Sequence, residues 1–209
     1  MDAILLIMNK KKKNIVNDVD FLFEMGNIRL MDRMWIRFLR DDFANLAEHH
    51  FRMFWIAMII AAQEKNVDTG KIAKMVLVHD IAESRAGDVD YLARQYVERN
   101  EKLAIKDMLA GTSIEDEFYT LWKEYEDRKT IESRIVKDAD NLDVDFELSE
   151  QAAKGSQLKS KWSANRDYVA REKLYTDTAK KIYEQLDNTN PHEWHMKGRN
   201  RKNDGDWKK

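Results

Sequence analysis

The sequence predicts an all-α protein, a compact bundle of several helices, on three observations. One proline and seven glycines in 209 residues leave little material for the tight turns of an all-β chain. Charged residues make up 35 % of the chain, above the usual quarter, as expected where many helices each expose a Lys/Glu face. The stretch 46–64, LAEHHFRMFWIAMIIAAQE, is apolar almost all round after Arg52, the mark of a central buried helix.

Taken in order, Ala3 to Met8 is apolar but short and precedes the lysine run at 10–13, whereas a secretory signal places its charges first, so it reads as a frayed terminus. A first helix is expected near 16–26, followed by a long connection over 27–45 and the buried helix at 46–64. Met53 to Ala62, the most apolar run, is about half the length a bilayer crossing needs and meets Gln63, Glu64 and Lys65 at once. Asp68, Thr69 and Gly70 turn the chain into a helix at 71–83, and another is expected at 90–109. Gly111, Thr112 and Ser113 then cap a helix at 114–127 that carries Glu115 and Asp116 in its first turn. Helices at 130–154 and 166–187 follow, separated by a connection at 155–165. Beyond Pro191 the chain is polar, with Trp194 and Trp207 set among Lys, Arg and Asn, a tail that either wraps onto the body or stays unfolded. The expected organisation is one helical domain over 1–190 and a polar tail over 191–209.

Composition narrows function. With 36 Lys plus Arg against 38 Asp plus Glu, the net charge of −2 draws the chain to neither nucleic-acid polymers nor anionic membranes. The absence of cysteine removes disulfides, a thiolate nucleophile and thiolate-held metals, so any metal falls to His, Asp or Glu. The protein is expected in the cytoplasm.

His49 has Leu46 at i−3, Met53 at i+4 and Ile56 at i+7, which points its imidazole at the core. A single inward histidine is as easily a satisfied core residue. His79 and Asp80 end the apolar run MVLVHD, with Glu83 one turn beyond His79 on the same helix face, and a buried aspartate is rare unless paired or bound to a metal. Asp140 sits between Val136 and Val144 on a helix that also carries Asp138, Asp143 and Asp145, where alone it reads as a salt bridge or a solvated acid. Two imidazoles and two carboxylates pointing inward from three bundle helices are, together, the ligand types that divalent cations accept when no thiolate is present. The acidic stretch from Asp138 to Glu150 is not a calcium loop, because Leu142 and Asp143 stand where that loop wants an oxygen ligand and a glycine. His50 points about 100° from His49 and is set aside as a ligand.

The pieces AEH at 47–49, LVHDIAE at 77–83, GD at 87–88 and VKDAD at 136–140 resemble the HD-domain metal-dependent phosphohydrolases over roughly residues 15–150, and within them the small 5′-deoxynucleotidases. The resemblance implies a helical HD-domain bundle with the metal site in its core. One divalent ion would be held by His49, His79, Asp80 and Asp140; Mn, Co, Fe, Zn and Mg all suit that set. Glu83 and Asp88 match the family's catalytic acids. Arg33 matches its phosphate arginine, with Trp35 against the sugar or simply in the core. The family places Arg directly before Trp; here Met34 intervenes, so Arg33, Arg37 and Arg40 all stay open for that role. Implied too is hydrolysis of deoxyribonucleoside 5′-monophosphates by a homodimer whose partner is a small nucleotide. The alternatives are an HD hydrolase of another nucleotide, phosphodiester or pyrophosphate, and a helical interaction protein without activity.

Overall fold

The computed structural model describes residues 2–39 and 42–198. Its helices are α1 (Asp2–Asn27), α2 (Ile36–Leu39), α3 (Leu46–Ala61), α4 (Thr69–Val78), α5 (Glu83–Ala86), α6 (Glu101–Leu109), α7 (Glu115–Asp127), α8 (Ile131–Ala153), α9 (Leu158–Glu172), α10 (Asp177–Asp187) and α11 (Glu193–Met196), with 3₁₀ turns at Ile28–Leu30 and Ala93–Gln95. Among the described residues there is no strand, only an isolated bridge between Asp32 and Asn45, so the all-α class holds. No described helix is long and apolar enough to cross a membrane.

α3 packs on α8 and α4, α4 also on α7 and α8, and α9 and α10 lie against α8. Met53, Ala57 and Ile60 of α3, Ile72, Met75 and Val76 of α4, and Ile135, Val136, Ala139 and Leu142 of α8 are sealed from solvent. Each large aliphatic side chain so buried contributes about 1.5–3 kcal/mol. The all-round burial expected of α3 does not hold. Phe51, Trp55 and Ile59, spaced four apart, stay exposed because α8, α4 and the 28–30 turn cover only the other faces.

Several boundaries differ from the sequence expectation, each for a local reason. α1 runs upstream through the stretch expected to fray, since neither proline nor glycine interrupts it before Gly26. The helix expected at 71–83 ends at Val78. Bonds from Glu83 N to Asp80 O and from Ser84 N to Ile81 O then tighten the chain into a turn before α5. Val78, His79, Ile81, Ala82 and Glu83 are all buried, which no single face of a straight helix could achieve. His79 and Glu83 therefore do not share one regular helix face. The expected 90–109 helix is split, because Asp90 accepts from Leu92 N and Ala93 N and Asn100 restarts the ladder by accepting from Leu103 N. Ahead of α7 the Thr/Ser cap is not made; Glu115 reaches back to Gly111 N instead. Much of the expected 155–165 connection is helical as the start of α9, and the expected 166–187 helix breaks before Thr176, which caps α10. Trp194 on α11 is 80 % exposed and does not wrap onto the body, while Trp207 lies outside the described residues.

The break before α10 is held by Asp138, fully buried, which accepts from Tyr175 N at 2.7 Å, Thr176 N at 2.8 Å and Thr176 Oγ1 at 2.7 Å. Asp138→Ala strands these donors. It should cost about 3 kcal/mol and lower Tm by roughly 6–12 °C, read by thermal circular dichroism, and an unchanged Tm would show that the α8–α10 junction does not depend on it.

Candidate metal centre and active site

Asn45 opens α3 with a capping box, accepting from Glu48 N while its own N–H bonds Glu48 Oε2, both at 3.0 Å, and this starts the helix one turn before His49. His79 and Asp80 stand where α4 gives way to the turn, and Asp140 lies in the first half of α8. These three elements bring one ligand atom each from His49, His79, Asp80 and Asp140 to within 4.8 Å of one another. His49 Nε2 is 3.5 Å from Asp140 Oδ1 and 3.9 Å from Asp80 Oδ2, and His79 Nε2 is 3.1 Å from Asp80 Oδ2.

The histidines are held from behind. His49 Nδ1 meets Asp143 Oδ2 at 2.6 Å, and His79 Nδ1 meets the Val76 carbonyl at 2.8 Å. A proton on Nδ1 directed outward leaves the Nε2 lone pair facing the cluster. Both Nε2 atoms are buried without a hydrogen-bond partner, a cost that a cation seated between them and the two carboxylates would remove. The donor set therefore fits a divalent ion accepting nitrogen and oxygen ligands. Asp140 is steadied by Lys137 Nζ at 2.6 Å, with Tyr125 OH at 3.4 Å. His50, also buried, has its ring 4.8 Å from that of His79 and stays outside the four-residue cluster.

Around the cluster the structure separates the candidates that the sequence leaves open. The Arg33 guanidinium lies 3.6 Å from Asp80 and 3.7 Å from Asp88, nearly buried, with Nη1 lacking a hydrogen bond. Arg37 turns to Asp90 at 2.8 Å with half its side chain in solvent, and Arg40 lies outside the described residues. Asp88 accepts from Met34 N at 3.0 Å, tying the Arg33 segment to the turn after Gly87. Trp35 packs its ring 5.0 Å from that of Trp162 and, with Phe43, Val144 and Leu148, lines a small cavity beside Arg33. Glu83 is buried; its Oε1 accepts from Arg99 at 3.0 Å while Oε2 has no partner.

Burial, followed by the charges of Asp80 and Asp88, pushes the Glu83 carboxyl up to about 9. Burial and the Arg33 charge pull the His49 imidazole down, but the Asp140 and Asp143 carboxylates beside it outweigh them and raise it to about 9. Burial would raise Asp80, yet the His79 imidazole holds it well below the usual carboxylate range.

Sequence reasoning missed Arg99, Asp143, Lys137 and Tyr125. Asp143 had a signal, since i+3 from Asp140 places it on the same side of α8. Arg99 had none, because it lies on a segment that looked like the middle of a helix.

The HD domain family model matches residues 25–190. The chain is 30% identical over 158 residues to a 5′-deoxynucleotidase HDDC2 of Dictyostelium discoideum, covering 69% of this chain and 83% of that protein. It is 29% identical over 138 residues to the Homo sapiens protein of the same name, covering 63% and 67%. A solved structure titled as a predicted metal-dependent phosphohydrolase from Magnetospirillum magnetotacticum shares the fold at a TM-score of 0.69, with 22% identity over 85% of this chain and 93% of that one. A conserved hypothetical protein from Pyrococcus furiosus does so at 0.67, with 24% identity over 82% and 99%. The chain belongs to the HD-domain family of metal-dependent phosphohydrolases, on the branch of these 5′-deoxynucleotidase relatives.

Proposed function

We propose that this enzyme hydrolyses deoxyribonucleoside 5′-monophosphates to the deoxynucleoside and phosphate, with one divalent ion held by His49, His79, Asp80 and Asp140. The observation that carries the reading is the pair of buried, partnerless Nε2 atoms facing two carboxylates across a space under 4.8 Å. The named relatives support the substrate class. All the site residues precede the tail, in keeping with a catalytic domain over 1–190 and a polar extension over 191–209.

A divalent ion bound there supplies Lewis acidity toward a phosphoryl oxygen and makes water more acidic. The chain's own groups perform the rest. Glu83 and Asp88 divide the proton transfers, one carboxylate taking the proton of the attacking water as its oxygen bonds to phosphorus and the other carboxyl giving a proton to the departing 5′ oxygen as the P–O bond breaks. Arg33 counters the phosphate charge, and a planar guanidinium can hold two phosphate oxygens at once. A single arginine and a single ion suit one terminal phosphate, and no glycine-rich loop is present for a triphosphate. Trp35, braced by Trp162, is the candidate wall against C2′ of the sugar.

His79→Ala should lose bound metal and phosphatase activity together, measured by inductively coupled plasma analysis alongside phosphate release; full metal content would sink the ligand assignment. Asp143→Ala, which frees the back of His49, should weaken metal retention about ten- to a hundredfold in competition with a chelator, and unchanged retention would mean the His49–Asp143 bond does not tune the site. Arg33→Ala should keep its metal yet lose affinity for dAMP and for inhibitory free phosphate, an effect that Arg37→Ala should not share. Equal kcat/KM for dAMP and AMP would overturn deoxy selectivity, and hydrolysis of dATP but not dAMP would overturn the monophosphate reading.

A further inference from the structure

Arg99 sits on the stretch ahead of α6, outside every segment that the sequence marks for function. Its side chain is 14 % exposed, and both terminal nitrogens have partners. Nη1 donates to Glu83 Oε1 at 3.0 Å and to the Gly87 carbonyl at 2.7 Å, while Nη2 is held by Glu101 Oε1 at 2.5 Å. Two consequences follow from that fork. With Oε1 occupied, Glu83 keeps one rotamer and presents Oε2 as its only oxygen without a partner. The Gly87 carbonyl belongs to the same peptide plane as the Asp88 N–H, so holding it sets the backbone from which Asp88 projects. Gly87 has φ +81°, a conformation in which that plane is not fixed by ordinary side-chain sterics.

One guanidinium thus ties the two carboxylates proposed for proton transfer into a single geometry. We propose that Arg99 is a positioning residue for the hydrolysis, clamping the Glu83 carboxylate and the Gly87–Asp88 peptide without touching substrate; this rests on the roles given above to Glu83 and Asp88. A residue present only to neutralise a buried glutamate would be replaceable by lysine. A clamp would not be, because an ammonium lacks the planar fork that reaches a carboxylate, a carbonyl and Glu101 together.

The test is steady-state hydrolysis of dAMP by the full-length, manganese-loaded protein. Arg99→Ala and Arg99→Lys should each lower kcat, the alanine variant by about a hundredfold, with KM and metal content unchanged, as expected when reacting groups are misplaced rather than removed. Added guanidinium at low millimolar concentration should restore part of the Arg99→Ala rate. In a Glu83→Gln background, Arg99→Ala should cost little more, because the two residues act as one unit. The clamp is refuted by wild-type kcat in Arg99→Lys, by a rise in KM at constant kcat, or by a full additional loss in the Glu83→Gln background. Should Arg99→Ala fail to fold, the lysine variant decides alone. Wild-type kcat in Glu83→Gln would refute the role given to Glu83 and the clamp with it, whereas an inactive Glu83→Gln beside a fully active Arg99→Lys would refute the clamp only.

Discussion

Placing imidazoles and carboxylates inside an apolar bundle is the constraint to which most of this structure answers. A buried charge or unsatisfied polar group costs several kcal/mol unless something answers it. The bundle answers from outside the cluster: Asp143 and the Val76 carbonyl behind the histidines, Lys137 and Tyr125 behind Asp140, and Arg33 between Asp80 and Asp88. Among the atoms left without a hydrogen bond are the Nε2 atoms of His49 and His79, which face the Asp80 and Asp140 carboxylates, and these four residues form a cluster among the described residues that could hold a dication.

α8 shows how one helix serves several such demands. At about 100° per residue, Asp138 and Asp145 fall on nearly the same side, and Asp140 and Asp143 on nearly the opposite one. The first pair faces the later helices, Asp138 receiving the 175–176 backbone and Asp145 the Arg166 guanidinium at 2.7 Å. The second pair faces α3 and meets His49 from two directions. An acidic run that reads as a solvated face is instead buried at Asp138, Asp143 and Asp145, each with a separate partner.

The turn from His79 to Gly87 is the other organising feature. A straight continuation of α4 would carry Glu83 along the helix axis; the tightened turn keeps it beside Asp80, and the positive φ of Gly87 swings Asp88 toward Arg33. Three carboxylates crowd a small space as a result, and that crowding, with burial, is what raises Glu83. Arg99 and Arg33 approach the same group from two sides and limit the repulsion.

The class, the central place of the 46–64 helix and the four residues that meet in the core were legible in the sequence, because apolar periodicity reports which side of a helix faces inward, and His49, His79, Asp80 and Asp140 interrupt apolar runs where a polar residue needs a reason. The breaks at Val78, within 90–100 and before Thr176 were not, since the first closes on backbone bonds of a tightened turn and the other two depend on Asp90, Asn100 and Asp138 competing with the helical ladder for backbone donors. Nor could the sequence choose Arg33 over Arg37, see Arg99 behind Glu83, or pair Asp143 with His49, 94 residues away. Those choices join segments distant in sequence, and local patterning carries no term for which of several arginines or aspartates a folded neighbour will reach; only the packing of α3, α4 and α8 decided it.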